Sequence, residues 1–280
     1  MASETIKPDL TLLDARSLEL RKTILQVMDV ARKGHLGGAF SVLEIVRVLF
    51  DDILAFRSSD PKWANRDRFI LSKGHSCLAL YVMLADKGFF PRTELWKFCK
   101  KDGILGGHPE SKIPGVEVAT GSLGHGLSVG VGFALYAQYK KLNHRTFVVS
   151  SDGESNEGSV WEAALFAHKH KLENLAVIID YNKFQTYGTT YEVQDLEPFA
   201  KKWEAFGFST REVNGHDVKE LRAVFSKLPF ERNKPSAIIC HTIKGKGIPF
   251  AENNPAWHYK NKINDEEIRN LFAAIEEKNA

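Results

Sequence analysis

The stretch SSDGESNEGSVWEAALFAHKHKLENLAVIIDYNKFQ, residues 150–185, decides the fold of this chain. It joins the end of one apolar run, residues 146–151, to a second apolar run at residues 175–180 through a segment with a helical pattern. Two short apolar runs separated by a helix predict parallel strands with a crossover connection. Asp152 follows the first run and Asn182 follows the second. The pattern therefore places both polar side chains at the carboxyl ends of neighbouring strands, where open parallel sheets bind ligands.

The size and composition of the chain indicate an ordinary globular protein. Its 280 residues suffice for one large α/β domain, and the formal net charge of +3 is too small to indicate nucleic-acid or membrane binding. No apolar stretch reaches the roughly 18 residues of a spanning helix, and the start lacks the layout of a signal peptide. The three widely spaced cysteines match neither a disulfide framework nor a zinc site. We therefore expect a reducing, cytoplasmic location.

The pattern outside the opening stretch continues the alternation of strands and helices. We expect one domain over residues 1–280, with an N-terminal helix at residues 11–32 and a second helix at residues 42–49 capped by Ser41. Further strands are expected at residues 68–72, 208–213 and 236–241. Further helices are expected after residue 76, ending near residue 84, and at residues 127–140, 159–170, 196–206, 218–226 and 265–277. The fold class is α/β, with a doubly wound, mainly parallel sheet flanked by helices.

Asp152 and Asn182 are candidate ligands of a divalent metal. Carboxylate and carboxamide oxygens suit Mg²⁺ or Ca²⁺. Magnesium keeps several waters and takes phosphate oxygens, so two side chains are enough for a metal shared with a diphosphate. An isolated Asp-Gly pair is more often a simple turn, so the metal interpretation depends on the rest of the chain.

Other segments support a site for a phosphorylated ligand. Residues 121–126, GSLGHG, precede a predicted helix, where backbone N–H groups can bind phosphate. His35, His75, His108 and His258 lie in predicted loops, without the spacing of a zinc site. Histidines in such loops suit hydrogen bonding to a polyhydroxylated substrate and proton transfer.

The opening stretch resembles the thiamine diphosphate motif of transketolases, which runs from Gly-Asp-Gly to a later Asn. The resemblance extends, in family order, to ARKGHLGGAFS, DRFILSKGHSCLALY, GGHPE, VATGSLGHGLSVGVGFA and TIKGKGIPFAENNPAWH. The chain is similar to the N-terminal, diphosphate-binding subunit of a split transketolase, without the pyrimidine-binding module. The sequence departs from the family pattern in three places. Ser151 replaces the first Gly, residues 186–188 (TYG) stand where the family more often has a short Asp-Gly link, and Tyr259 follows His258 where Gly is usual.

The resemblance implies ligands for thiamine diphosphate and for Mg²⁺ or Ca²⁺. Asp152 and Asn182 would bind the metal through their side chains, and Phe184 through its backbone carbonyl. The implied cofactor-binding residues are His75, Gly121, Ser122, Leu123, Gly153, Asn182, Lys244 and His258. The implied catalytic residues are His35, His108 and His258, which would face the sugar, and Glu157, which would join a hydrogen-bond network at a subunit boundary.

The implied activity is transfer of a two-carbon ketol unit from a phosphorylated ketose donor to an aldose acceptor. The implied partner is a separate C-terminal, pyrimidine-binding subunit in an α₂β₂ heterotetramer, covering an apolar surface near residues 121–134. No nucleic-acid or membrane partner is expected. One alternative is a subunit of another thiamine diphosphate enzyme, either 2-oxoacid dehydrogenase-like or a sugar-phosphate synthase. A non-catalytic homologue is the alternative from a different class.

Overall fold

The computed structural model describes residues 6–277, so both ends of the predicted domain lie outside the described residues. Five parallel strands form one sheet in the order β1-β2-β3-β5-β4. The strands are β1 (Arg68–Leu71), β2 (Thr146–Ser151), β3 (Leu175–Tyr181), β4 (Ser209–Asn214) and β5 (Ser236–His241). The break in strand order after β3 confirms the doubly wound parallel sheet predicted from the sequence.

Helices separate the strands and extend the domain at both ends of the described residues. They are α1 (Ala15–Ala31), α2 (Leu36–Val48), α3 (Cys77–Asp86), α4 (His125–Lys140), α5 (Gly158–Lys169), α6 (Thr190–Val193), α7 (Phe199–Ala205), α8 (Val218–Phe225) and α9 (Asp265–Glu277). Three short 3₁₀ turns lie in the connecting segments. One follows β1 (Gly74–Ser76), one follows β2 (Gly153–Asn156) and one precedes His258 (Pro255–Trp257). These turns were not predicted from the sequence, and all three lie near the candidate site.

Both faces of the sheet are buried, and each has its own hydrophobic core. One core contains residues of α1, α2, α3, α8 and α9, and the other contains residues of α4, α5 and α7. Within the strands, Val149 and Ile178 contribute to the first core, whereas Val148 and Val177 contribute to the second. This alternation explains why the strands read as nearly continuous apolar runs.

Helix α4 lies close to the sheet because its inner face consists of small residues. A Cβ atom added at Gly130 would lie 2.4 Å from Cγ2 of Val148, and one at Gly126 would lie 2.2 Å from Oγ of Ser72. Neither position has room for a larger side chain. The small residues of the sequence GLSVGVGFA therefore place the start of α4 beside the ends of β1 and β2.

Three predicted helix starts are wrong. Helix α2 begins at Leu36 and not at residue 42, because His35 has the extended backbone of an N-cap and Ser41 lies inside the helix. Helix α1 begins at Ala15 and not at residue 11, since Asp14 caps it by accepting a hydrogen bond from the Ser17 amide at 2.8 Å. Helix α7 begins after Pro198, three residues later than predicted.

Helix α6 was not predicted from the sequence, and the other strands and helices lie within a few residues of their predicted bounds. Ser151 lies in β2 without a positive φ, so the turn after this strand does not require the family's Gly at that position. Within residues 6–277, no helix is both long enough and apolar enough to cross a membrane.

Candidate active site

The two predicted metal ligands lie together at the carboxyl ends of β2 and β3. Asp152 directly follows β2 and is buried, with Oδ1 accepting a hydrogen bond from the Gly153 amide at 2.7 Å. Its Oδ2 accepts from the Lys183 amide at 2.5 Å, which ties it to the residue after Asn182. Oδ1 of Asn182 in turn accepts from the Phe184 amide at 3.0 Å. The turns after both strands are thus held by the side chains proposed as ligands.

The Asp152 carboxyl group lies in an environment that disfavours its charged form. Burial and the nearby carboxylate of Asp180 raise its pKa to about 7, although the amides of Gly153 and Lys183 act in the opposite direction. A cation beside the carboxyl would stabilise the ionised form. The electrostatics of the site are therefore those of a group that gains from a metal ion.

Asp180, the penultimate residue of β3, is the centre of a buried hydrogen-bond network that sequence reasoning missed. It accepts hydrogen bonds from Ser41 at 2.6 Å, from Lys73 and Thr242, and from Nδ2 of Asn182 at 3.4 Å. The network fixes the Asn182 amide with its NH₂ group toward Asp180 and its oxygen toward the loop. The available sequence signal was the charged residue inside the apolar run LAVIID. A carboxylate in a strand that is buried on both faces must be paired with other polar groups, because an unpaired buried charge is costly.

Glu154 is a second buried carboxylate that sequence reasoning missed. It accepts hydrogen bonds from Ser72, from Ser150 at 2.8 Å and from the Gly124 amide at 2.8 Å. It therefore holds the glycine-rich loop at the start of α4 against the ends of β1 and β2. Gly124 has a φ of +81°, which a residue with a side chain rarely adopts, so the path of this loop depends on glycine.

Lys244 places a buried ammonium group beside these ligands. Its Nζ donates to the carbonyl oxygens of Gln185 at 2.8 Å and of Phe184 at 3.4 Å. Burial and the cationic Lys73 lower the pKa of Lys244 to about 8, although Asp152 and Asp180 act in the opposite direction. A buried ammonium whose hydrogen-bond acceptors are neutral carbonyls would be stabilised by an anionic ligand.

The four loop histidines predicted from the sequence form one cluster. The ring of His35 lies 5.5 Å from those of His75 and His258 and 6.0 Å from that of His108, measured between centroids. The rings of His75 and His258 are 5.3 Å apart. Tyr259 covers one side of the cluster, with its ring 4.5 Å from His35. Segments far apart in the chain thus present imidazoles to one side of the cleft.

Three of these imidazoles are neutral at physiological pH. Burial, with His108 and Lys244 nearby, lowers the pKa of His35 to about 4. Burial and Lys244 lower the pKa of His258 to about 3, and burial and Lys73 hold the pKa of His75 well below its usual value. Neutral imidazoles can accept protons and hydrogen bonds from hydroxyl groups.

A single cleft connects the histidine cluster with the metal ligands. It is lined by Gly38, Lys73, His75, His108, Gly121, Leu123, Ser151, Gly153, Glu154, Asn182, Phe184, Gln185, Thr186, Lys244 and His258. The structure therefore brings most of the predicted site residues together. Asp152, which is buried, and His35 are not among the lining residues, and Ser122 and Glu157 are exposed. Glu157 packs near Gly124, since a Cβ added there would lie 2.6 Å from Cβ of Glu157.

Buried polar atoms around the cleft fit a phosphorylated ligand. Oγ of Ser76, Nε2 of Gln185 and Nδ1 of His258 have no hydrogen-bond partner among the described residues. Groups of this kind cost free energy when they stay unpaired, and a ligand with many acceptor oxygens could satisfy them. Within residues 6–277, no group of three or more His, Cys, Asp or Glu side chains is arranged to hold a metal. A metal here would need Asn182, a main-chain carbonyl or oxygens of the ligand.

The fold and the cleft define an enzyme that binds an anionic cofactor at the carboxyl ends of a parallel sheet. The chain matches the family described as "Transketolase, thiamine diphosphate binding domain" over residues 16–276. It therefore belongs to the transketolase family.

Relatives of similar length are named as transketolase subunits. One subunit of the apulose-4-phosphate transketolase of Phocaeicola vulgatus is 42% identical over 247 residues, covering 88% of each chain. The 6-deoxy-6-sulfo-D-fructose transketolase subunit SqwG of a Clostridium species is 37% identical over 262 residues, covering 93% of this chain and 95% of the relative.

Solved transketolases share the fold and are much longer. The transketolase of Leishmania mexicana is 31% identical with a TM-score of 0.85, and the alignment covers 93% of this chain. This chain spans 40% of the length of that protein. The predictions of a transketolase subunit, of ketol transfer and of the thiamine diphosphate-binding fold are confirmed, and the alternatives are not favoured.

Proposed function

We propose that this chain is the diphosphate-binding subunit of a two-subunit transketolase that acts on sugar phosphates or their acidic analogues. The family match supports ketol transfer, and the names of the two subunit relatives support a separate partner and an acidic sugar substrate. The observation that carries the assignment of the site is the buried Lys244 ammonium beside Asp152 and Asn182. Such a site suits a diphosphate with a divalent cation.

The residues of the cleft fit Mg²⁺ as the metal, with Ca²⁺ as the second choice. Asp152 offers a carboxylate oxygen, Asn182 a carboxamide oxygen and Phe184 a main-chain carbonyl. The carbonyl of Phe184 accepts a long hydrogen bond from Nζ of Lys244, at 3.4 Å, and has a second lone pair for a cation. Phosphate oxygens and water would complete the coordination, as Mg²⁺ prefers.

Thiamine diphosphate, when bound, supplies a carbanion and an electron sink for the transferred ketol unit. His75, His258 and Lys244 would bind its diphosphate, together with the backbone at Gly153. Gly121, Ser122 and Leu123 would line the cofactor where it leaves the cleft. The chain thus contributes binding and orientation at the diphosphate end.

Proton transfer at the sugar falls to the histidine cluster. Nδ1 of His258 has no hydrogen-bond partner within residues 6–277, and its Nε2 lies 3.3 Å from Oγ1 of Thr186. His35 and His108 would hydrogen-bond the hydroxyl groups of the ketose, and His35 and His258 would accept or return protons at the carbon skeleton. Glu157, exposed beside α4, would contact the partner subunit.

The assembly and location are part of the same proposal. We propose an α₂β₂ heterotetramer in the cytoplasm, with the partner contributing the pyrimidine-binding module. Cys77, Cys99 and Cys240 are free thiols, which supports a reducing compartment. The test is to assay the chain, mixed with its partner, against a panel of phosphorylated, sulfonated and uncharged ketoses. Turnover of 2-oxoacids but of no ketose would contradict the proposal.

Replacing Asp152 by alanine is expected to weaken Mg²⁺-dependent binding of thiamine diphosphate by at least tenfold, about 1.4 kcal/mol. The substitution removes the only charged ligand among the three proposed. Titration calorimetry at fixed cofactor and increasing Mg²⁺ measures the effect. Asp102→Ala removes an exposed carboxylate away from the cleft and serves as the control. Unchanged Mg²⁺ dependence in Asp152→Ala would remove Asp152 from the metal site.

A further inference from the structure

The loop that carries Lys244, residues 243–247, is held from behind by three buried side chains that do not line the cleft. Arg21 lies on α1, Glu44 lies on α2, and His216 follows β4. Each is at most 2% exposed. They lie far apart in the sequence, and no motif connects them.

His216 is in direct contact with the loop. Its Nε2 accepts a hydrogen bond from the Ile243 amide at 2.9 Å, and its Nδ1 lies 2.9 Å from Oε2 of Glu44. A backbone amide can only donate, so Nε2 carries no hydrogen and Nδ1 donates to Glu44. The carboxylate of Glu44 therefore fixes both the tautomer and the orientation of the imidazole.

Arg21 holds the other side of the loop. It donates to both carboxylate oxygens of Glu44 and, through Nε, to the carbonyl of Lys246 at 2.9 Å. Burial acts to raise the pKa of Glu44, but Arg21 and His216 outweigh it and hold that pKa well below its usual value. The ionised carboxylate thus links two anchors, one at Ile243 and one at Lys246, on either side of Lys244.

The loop has little freedom between these anchors. Its Gly245 and Gly247 have φ values of +80° and +101°, and the Gly245 amide donates to the Gly37 carbonyl at 3.0 Å. A Cβ added at Gly37 would lie 3.0 Å from Cγ of Lys244, so the lysine side chain passes directly over that glycine. Small movements of the loop would therefore move the ammonium group.

We propose that His216 is a positioning residue: by accepting the Ile243 amide hydrogen, it holds the loop so that Lys244 presents its ammonium group to the diphosphate. The inference rests on the proposed function of the cleft. His216 acts through Lys244 and touches no ligand itself. The chemistry required at position 216 is a hydrogen-bond acceptor for Ile243 together with a donor for Glu44.

The test compares His216→Leu, which removes the acceptor, with His216→Gln, which can restore it. Inorganic pyrophosphate with Mg²⁺ is titrated into each full-length chain and binding is measured by calorimetry. We expect His216→Leu to weaken binding by about tenfold or more, the size of one lost hydrogen bond to a charged group. We expect His216→Gln to stay within about threefold of the wild type.

Two controls separate positioning from simple loss of stability. Leu221→Ala, a buried change on α8, should lower the melting temperature and leave pyrophosphate binding unchanged. In a Lys244→Met background, His216→Leu should have no further effect on binding, because the two residues act as one unit. If His216→Leu does not fold, Glu44→Gln, which loosens the imidazole at constant volume, should weaken binding in the same direction.

The outcomes distinguish the inference from the function on which it rests. The positioning role alone would be overturned if His216→Leu bound pyrophosphate as tightly as the wild type. It would also be overturned if the losses of binding free energy in His216→Leu and Lys244→Met simply added in the double variant. A wild-type chain that binds neither pyrophosphate nor thiamine diphosphate with Mg²⁺ would overturn the proposed function and this inference with it.

Discussion

Alanine at position 258 is expected to reduce the turnover number for ketol transfer by about 10²–10⁴-fold, the usual range for a well-placed general acid or base. The loss of thiamine diphosphate affinity should be far smaller, because His75 and Lys244 remain on the same side of the cleft. The physical reason is the position of His258, whose Nδ1 has no partner in the described part of the chain and whose ring lies 5.5 Å from that of His35. Steady-state kinetics and calorimetry on the same preparation separate the two effects.

His168→Ala is the matched control for this experiment. His168 is an exposed histidine on α5, outside the cleft, and its removal should leave turnover unchanged. His258→Gln, which keeps hydrogen-bonding atoms but cannot exchange protons as imidazole does, should remain slow. A His258→Ala enzyme with near-normal turnover would leave His258 without a catalytic role, and His35 would then be the remaining candidate for proton transfer.

The fold was largely predictable because hydrophobic periodicity depends on local sequence. Each strand of the sheet is a short apolar run, and each intervening segment has a helical pattern, so the sequence predicts the crossovers directly. The wrong helix starts have a different cause. Ser41 has the side chain of an N-cap, yet it lies inside α2, and its hydroxyl donates to Asp180 on β3, a residue far away in the chain.

The candidate site could be predicted from the sequence only where a single motif contains its residues. Asp152 and Asn182 stand at strand ends, and the sequence marks those ends. The Asp180–Lys73 pair and the contacts of Glu154 with Ser72 and Gly124 join segments whose proximity depends on the folded sheet. No spacing in the sequence reports such pairs. The proposed ligands were therefore easier to identify in the sequence than the residues that hold them in place.

Lys73 and Lys244 both line the cleft, and their charges are balanced in different ways. Lys73 is paired with Asp180 in a buried ion pair, so its charge is already balanced within the protein. Lys244 has only carbonyl acceptors among the described residues and lies beside polar atoms that lack partners. The uncompensated cation therefore lies at the end of the cleft where we place the diphosphate. This arrangement favours an anionic ligand even before a metal is considered.

The largest effect we expect is the gain of activity when this chain is mixed with a pyrimidine-binding subunit. Solved transketolases are much longer than this chain, which covers 40% of the Leishmania enzyme, and relatives of matching length are named as subunits. The proposed site accounts for the diphosphate end of the cofactor. The binding site for the pyrimidine end would come from the partner.

The outer surface of α4 and α5 supports this expectation. Exposed apolar side chains extend along both helices, at Val129, Tyr136, Tyr139, Leu165 and Phe166. The predicted apolar surface near residues 121–134 thus includes Val129 but continues beyond that range, while Val131 and Ala134 are buried. Several exposed apolar side chains on two neighbouring helices are typical of a protein contact.

The purified chain is therefore expected to show no ketol transfer by itself and to self-associate through this surface. Adding a pyrimidine-binding subunit, for example the product of a neighbouring reading frame, should produce transfer and a larger complex of defined mass. Tyr136→Lys places a charge on the apolar surface and should impair assembly while leaving binding of Mg²⁺ and pyrophosphate intact, because Tyr136 is not among the residues that line the cleft. Val30→Lys, at an exposed apolar residue of α1 that is not among the residues lining the cleft, is the control. Robust transfer by the chain alone, shown by mass spectrometry to be free of any partner, would mean that these residues build a complete active site between copies of one chain.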